Sequence, residues 1–255
     1  ADRKHTHEDH PRRLPIGFAH RGGPVRPGGW RAPDNTLSTF RTAYDDGAPG
    51  IESDVRATSD NVSVLFHDAN LASNGPRIDG LAKADLPDWV PTIADFYATV
   101  PADVEFCVDV LDPSTVQTVL EAARAAGAPD RLWLVTSWPE ARNWRAEVGP
   151  EPHLVAGLSW SRSRTGFTAA ATEVGASDYC TINMEDRRWN RRRIADTHHA
   201  GLLAFGWRAV SATQIKRLVR LGADGIYSDT TSLLVRLLPS RPPSRVYTAS
   251  RRSVR

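Results

Sequence analysis

The stretch Gly50–Asp68, GIESDVRATSDNVSVLFHD, decides how this chain is read. Glu52 and Asp54 stand two apart in a run rich in β-formers, so on a strand both carboxylates leave the same face, roughly 6.6 Å apart along the backbone. Ser59-Asp60-Asn61 has turn chemistry, and Val62 to Phe66 predicts a return strand that carries His67 and Asp68 back beside the first. One hairpin then presents oxygen donors and an imidazole together. Taken alone, such a pair of acids is more often solvated than ligating. The residues on either side change that balance.

Upstream, Ile16 to Arg21 (IGFAHR) predicts a strand that is apolar until its polar end. Gly22 to Pro33 is rich in glycine and proline and predicts a loop long enough to fold over that end. Asn35 is expected to cap a helix whose apolar positions Leu37, Phe40 and Tyr44 lie three and four apart, with Gly47 as its stop. Strand, loop, helix and strand make a βαβ unit leading into the hairpin.

Downstream the alternation continues. Strands are predicted at Val104 to Val110, Arg131 to Trp138, His153 to Ser159, Asp178 to Met184, Leu202 to Arg208 and Gly225 to Asp229. Helices are predicted after Pro91-Thr92, after Asp112-Pro113 with Val116, Val119, Leu120 and Ala123 as the buried stripe, around Pro139 to Glu147, through the arginine-rich run before Leu202, and after a Ser211/Gln214 capping box. Ser159 to Asp178 is the most weakly patterned segment. With the return strand set aside, eight apolar strands remain, the count of a (β/α)8 TIM barrel. A doubly wound open sheet has the same alternation, so pattern alone leaves both open. No repeat of 20 to 50 residues underlies it. The expected organisation is one α/β domain over residues 16–238, a flexible arm over 1–15 and a disordered basic tail over 239–255.

At 255 residues and 40% hydrophobic content the chain can bury a sizeable core. The net charge of +2 hides an asymmetry: five arginines and no acid lie in Arg241 to Arg255, so removing them leaves −3 before that point. The tail is expected to be solvated rather than docked on an anionic membrane. Elsewhere basic residues alternate with acids, which argues against a nucleic-acid partner. Cys107 and Cys180 fall in separate apolar runs, as buried small residues rather than a disulfide. His5, His7 and His10 in the arm are expected to be inert. No apolar run approaches eighteen residues and no leader pattern precedes Pro11, so a soluble chain is expected. Its compartment, cytoplasmic or secreted, is left open, as is its oligomeric state.

Polar residues gather at the C-terminal ends of the predicted strands, where a barrel keeps its reactive groups: His20 and Arg21, Glu52 and Asp54, Asp109, Trp207 and Arg208, Ser228 and Asp229. Together, His20-Arg21-Gly22, Pro33-Asp34-Asn35-Thr36, Glu52-x-Asp54-Val55 and His67-Asp68 resemble the glycerophosphodiester phosphodiesterase family of metal-dependent TIM-barrel enzymes. Pro91-Thr92, Trp207 and the run Gly222 to Asp229 are similar to that family's later segments. The resemblance spans about Ile16 to Leu234.

It implies a phosphoric diester hydrolase releasing glycerol 3-phosphate and an alcohol from a small glycerophosphodiester. It also implies one divalent cation held by Glu52, Asp54 and Asp109, acid-base catalysis by His20 and His67, and a phosphate site that includes Arg21. All-oxygen ligands favour Mg²⁺ or Ca²⁺. The chemistry agrees, since a phosphodiester needs its oxygens neutralised, a nucleophile deprotonated and an alkoxide protonated.

Departures from the family pattern are specific. Asp109 and Leu111 stand where a glutamate and a lysine are usual, so the cage loses a methylene and the phosphate loses a cation. Arg208, after Trp207, is the candidate replacement for that cation. Asp34 replaces a glutamate, and the loop from Gly23 to Arg31 is longer than usual, with Trp30 expected over the substrate alcohol. Two other readings stay open: phospholipase D-like or lysophospholipase D-like action on a lipid, with Trp30, Trp89 and Trp207 as an apolar groove, and a barrel that binds a phosphodiester without turning it over.

Overall fold

Strand β1 (Ile16–Ala19) pairs in parallel with both β2 (Gly50–Ala57) and β9 (Gly225–Ser228), and this double pairing closes the sheet. From β2 the ring continues through β4 (Glu105–Val110), β5 (Leu132–Ser137), β6 (His153–Gly157), β7 (Thr181–Glu185) and β8 (Leu203–Trp207), each parallel to the next. The architecture is an eight-stranded parallel TIM barrel, and closure excludes the open doubly wound sheet. Outside the ring, β3 (Ser63–Leu65) runs antiparallel on β2 as the hairpin partner. The computed structural model describes residues 15–26, 28–29, 31–138, 144–159 and 166–238. The expected tail, nearly all of the expected arm and Trp30 lie outside those residues; Pro15, assigned to the arm, is buried.

The helices are α1 (Leu37–Asp45), α2 (Ile93–Thr99), α3 (Val116–Ala125), α4 (Trp144–Val148), α5 (Phe167–Gly175), α6 (Arg191–His199), α7 (Ala212–Leu221) and α8 (Thr231–Leu237). Helix α5 occupies the weakly patterned segment. Its buried face, Phe167, Ala170, Ala171 and Val174, has helical spacing, but two of the four are alanines, which contrast little with the Thr and Ala residues beside them. Asn35 does not cap α1. Thr36 does, accepting from the Thr39 N–H, because Asn35 sits at φ 53° with its side chain turned towards β2. The Ser211/Gln214 capping box is half formed: Ser211 accepts from the Gln214 N–H, while the Gln214 amide donates to Asp186 at 3.1 Å and to the Arg208 carbonyl at 3.3 Å. Cys107 lies in β4, Cys180 falls just before β7, and both thiols are free. Among the described residues no helix is long and apolar enough to cross a membrane.

Period-two alternation sorts the strands into two layers. Ile51, Val55, Phe106, Val108, Ile182 and Ile226 face the helices, whereas Phe18, Cys107, Trp133, Val155, Phe205 and Tyr227 fill the barrel. Phe18 stacks on Tyr227 with centroids 4.9 Å apart and tilts against Phe205 at 5.6 Å, so an aromatic plug closes the interior. Each fully buried ring of this kind contributes roughly 2–3 kcal/mol by burial. Because it excludes water, it also sets a low-dielectric floor beneath whatever stands at the C-terminal mouth.

The backbone after β1 is tightly constrained. Gly23 has φ 61°, and a Cβ there would lie 2.0 Å from Thr231 Oγ1, a contact with the first turn of α8. Gly23→Ala is therefore expected to cost about 2 kcal/mol or more, through both the left-handed backbone and the clash. A melting temperature within a degree of wild type would show that the loop and α8 separate freely.

Candidate active site

The alternation that puts Phe18 and Tyr227 inside the barrel puts His20 and Asp229 inside it one step further towards the mouth. They meet there: His20 Nδ1 lies 2.6 Å from Asp229 Oδ1, across 209 residues of sequence. A carboxylate accepts only from a protonated nitrogen, so Nδ1 carries a hydrogen and Nε2 is left as the ring atom available for proton exchange. Nε2 in turn stands 3.9 Å from Glu52 Oε2. Burial acts to lower the His20 pKa, but the carboxylates of Glu52 and Asp229 outweigh it and the net shift is upward. Asp229 moves the other way: burial opposes its ionisation, yet His20 and Arg31 hold it down at about 2. Arg31 completes the support by donating to Asp229 at 3.0 Å and to Asp34 at 3.3 Å.

Glu52 and Asp54 emerge from one face of β2, and Asp54 is in register with Asp109 on β4. Glu52 and Asp54 are 5% and 2% exposed, so ionising them needs compensation. The Arg21 N–H donates to Glu52 Oε2 at 2.9 Å, and the Arg21 guanidinium reaches Asp54 at 3.4 Å and Asp34 at 3.5 Å. The Asn35 amide donates to Asp54 at 3.0 Å while its oxygen accepts from the Ser53 hydroxyl at 2.8 Å. That role explains why Asn35 is withdrawn from the helix cap. Compensation is incomplete all the same. Glu52 is pushed up to about 8, chiefly by burial, and Asp109 up to about 7 by burial and the charge of Asp54.

Among the described residues no three His, Cys, Asp or Glu side chains are drawn together closely enough to enclose an ion as they stand. The donor chemistry nevertheless fits a hard divalent cation. Three carboxylates lie within one another's field, and two of them, Glu52 and Asp109, are raised by burial and by their acidic neighbours. Glu52, Asp54 and Asp109 are the side chains that would supply the cation's oxygen donors.

The other expected residues are placed differently. The Phe66 N–H donates to the Asp54 carbonyl at 2.9 Å, so the hairpin brings His67 to the rim as expected. There the His67 ring is half-exposed and pairs with Asp68 at 2.7 Å, while its carbonyl accepts from Arg56. Leu111 closes β4 with a backbone bond to Val55 and brings no charge. Trp207 ends β8 and Arg208 follows it, its guanidinium 3.5 Å from Glu185. Trp89 packs on Phe66, centroids 5.9 Å apart, by the hairpin. The two described tryptophans of the expected lipid groove thus belong to different sides of the mouth.

Asp229, Arg31 and Asn35 were not among the expected site residues. Asp229 had a signal, as a polar residue ending the last strand. Arg31 and Asn35 sit in a loop whose course no periodicity reveals.

Residues 20–88 match the model of the Glycerophosphoryl diester phosphodiesterase family. The chain is 26% identical over 250 residues to "Probable glycerophosphodiester phosphodiesterase 2" of Mycobacterium tuberculosis, covering 89% of this chain and 91% of that one. Its fold is similar to that of a glycerophosphodiester phosphodiesterase from Thermotoga maritima, with TM-score 0.74, 18% identity, and 88% and 98% of the two chains covered. It is also similar to a phosphodiesterase from Oleispira antarctica solved with the product sn-glycerol-3-phosphate, with TM-score 0.73, 20% identity, and 88% and 96% covered.

Proposed function

We propose that this chain belongs to the glycerophosphoryl diester phosphodiesterase family it resembles and hydrolyses a glycerophosphodiester to glycerol 3-phosphate and an alcohol. The observation that carries this reading is the His20–Asp229 pair set beside Glu52 in a mouth where the buried carboxyl groups of Glu52 and Asp109 are both raised. A single Mg²⁺ or Ca²⁺ held by Glu52, Asp54 and Asp109 would supply the charge that neutralises the phosphate oxygens. The chain's own residues do the rest. Asp229 fixes the His20 tautomer, so His20 Nε2 takes up or delivers the proton of a reacting oxygen. His67, on the rim beyond Asp54, is the second proton-transfer group. Arg21, pinned between Asp34 and Asp54, gives the phosphate side of the site its fixed cation. The aromatic plug below excludes water from this side of the mouth. The solved Oleispira protein holds the product expected here, which supports the reading.

Release of glycerol 3-phosphate from glycerophosphoglycerol, with and without chelator, tests it. Release that needs Mg²⁺ or Ca²⁺ is expected. Release that persists at full rate after exhaustive chelation would remove the cation from the reaction, and no release with either ion would leave only phosphodiester binding.

A further inference from the structure

The mouth is electrically lopsided. β7 stands four strands from β2 in either direction round the ring, so its inward-facing last residue, Glu185, lies across the mouth from Glu52 and Asp54. Glu185 is in register with Trp207 on β8, and the carboxylate is 4% exposed. Arg187 Nε approaches it at 2.8 Å and Arg208 Nη1 at 3.5 Å, with Arg188 Nε at 3.5 Å behind. Even leaving Arg188 aside, two guanidiniums share one carboxylate. Asp186 beside it is turned to Gln214. Arg187 and Arg208 are 70% and 65% exposed, so their outer N–H groups remain open to a ligand. Arg208 also holds a left-handed backbone, φ 68°, a conformation that costs a non-glycine residue of order 1 kcal/mol and that collects at binding sites.

We propose that this rim selects glycerophosphodiesters whose alcohol carries its own anion, a carboxylate or a second phosphate. The inference rests on the hydrolase reading for the site it extends. With the scissile phosphate against the β1–β2–β4 side, the alcohol points across the mouth to Glu185. That buried carboxylate is the anchor holding two forks in place, and the forks match planar or tetrahedral oxyanions. Trp207 alone, 37% exposed, would suit a quaternary ammonium. The adjoining guanidiniums repel one, and an anion gains where choline loses.

The test compares four esters of glycerol phosphate: choline, glycerol, glycerol bearing a terminal phosphate, and glycerate. For each, kcat/KM and the calorimetric Kd are measured at low and high salt, in wild type and in R187Q/R208Q. An anionic alcohol is expected to be preferred over choline by about tenfold, the preference shrinking as salt screens it, and the double variant to lower that ratio about fivefold. A response to only one of the two anions supports the selection and fixes its chemistry. Wild-type preference for choline, or a ratio the double variant leaves in place, overturns it. The calorimetric arm separates the two readings: anion-selective binding with no turnover of any ester would sink the hydrolase and keep the selection. Turnover without selectivity would do the reverse.

Discussion

His20→Ala is expected to slow glycerophosphodiester hydrolysis by about 10²–10⁴-fold, the usual worth of a positioned proton-transfer group. The substrate KM should move far less, because in this reading Arg21 and the cation, rather than the imidazole, would hold the phosphate. Two features make His20 the better candidate for the larger loss. Its tautomer is fixed by Asp229 at 2.6 Å, whereas the His67 ring is half-exposed with Asp68 beside it. Its Nε2 is also the ring atom nearest the buried carboxylates, 3.9 Å from Glu52. Asp229→Asn serves as the companion variant. An amide in place of the carboxylate can present its NH₂ group to Nδ1 and turn the proton to the wrong nitrogen, so a sizeable loss is expected with the fold intact. A His20→Ala enzyme retaining more than a tenth of wild-type kcat would take His20 out of the chemistry, leaving Asp229 a structural anchor for Arg31.

Glu52→Gln is expected to separate activity from stability. Activity should fall by at least about 10²-fold, because in the proposed reading the carboxylate would both donate to the cation and face His20. Stability in the presence of chelator should move the opposite way. The folded Glu52 carboxyl titrates at about 8, against about 4.3 in an unfolded chain. Between those values the folded protein holds a proton that the unfolded chain has released. Stability from this group is therefore full below the unfolded value and lost as pH rises through the folded one. Glutamine never ionises, keeps an oxygen for the Arg21 N–H, and escapes that loss. At pH 8 the variant should melt above wild type, by about 2–4 °C for each kcal/mol recovered, and at pH 4 the two should converge. A variant less stable than wild type at pH 8 would mean that His20 and the Arg21 N–H already compensate the ionised carboxylate in full. Added Mg²⁺ or Ca²⁺ should reverse the order by stabilising wild type alone.

The barrel itself was written in local pattern. Each strand buries both faces, so it reads as a short apolar run, and each helix announces its stripe at three- and four-residue spacing. The placement of Glu52, Asp54, Asp109 and His20 at the mouth was legible for the same reason: alternation fixes which face a residue takes, and strand polarity fixes which end of the barrel it reaches. The segment holding α5 was less legible because two of its four stripe residues are alanines and its N-cap, Gly166, offers no side chain.

What tertiary structure alone decided is everything that spans the mouth. Closure through the β1–β2 and β1–β9 pairings, rather than an open sheet, depends on strands far apart in sequence finding each other. Only then does Asp229 reach His20, Arg31 reach Asp229, and Arg208 turn to Glu185 instead of the carboxylate side. The raised carboxyl groups of Glu52 and Asp109 belong to the same class. Their titration is set by burial over an aromatic plug and by charges brought in from neighbouring strands. Sequence determined which groups this protein carries and which way each faces along its own strand. The through-space field that makes them a site exists only once the ring is closed.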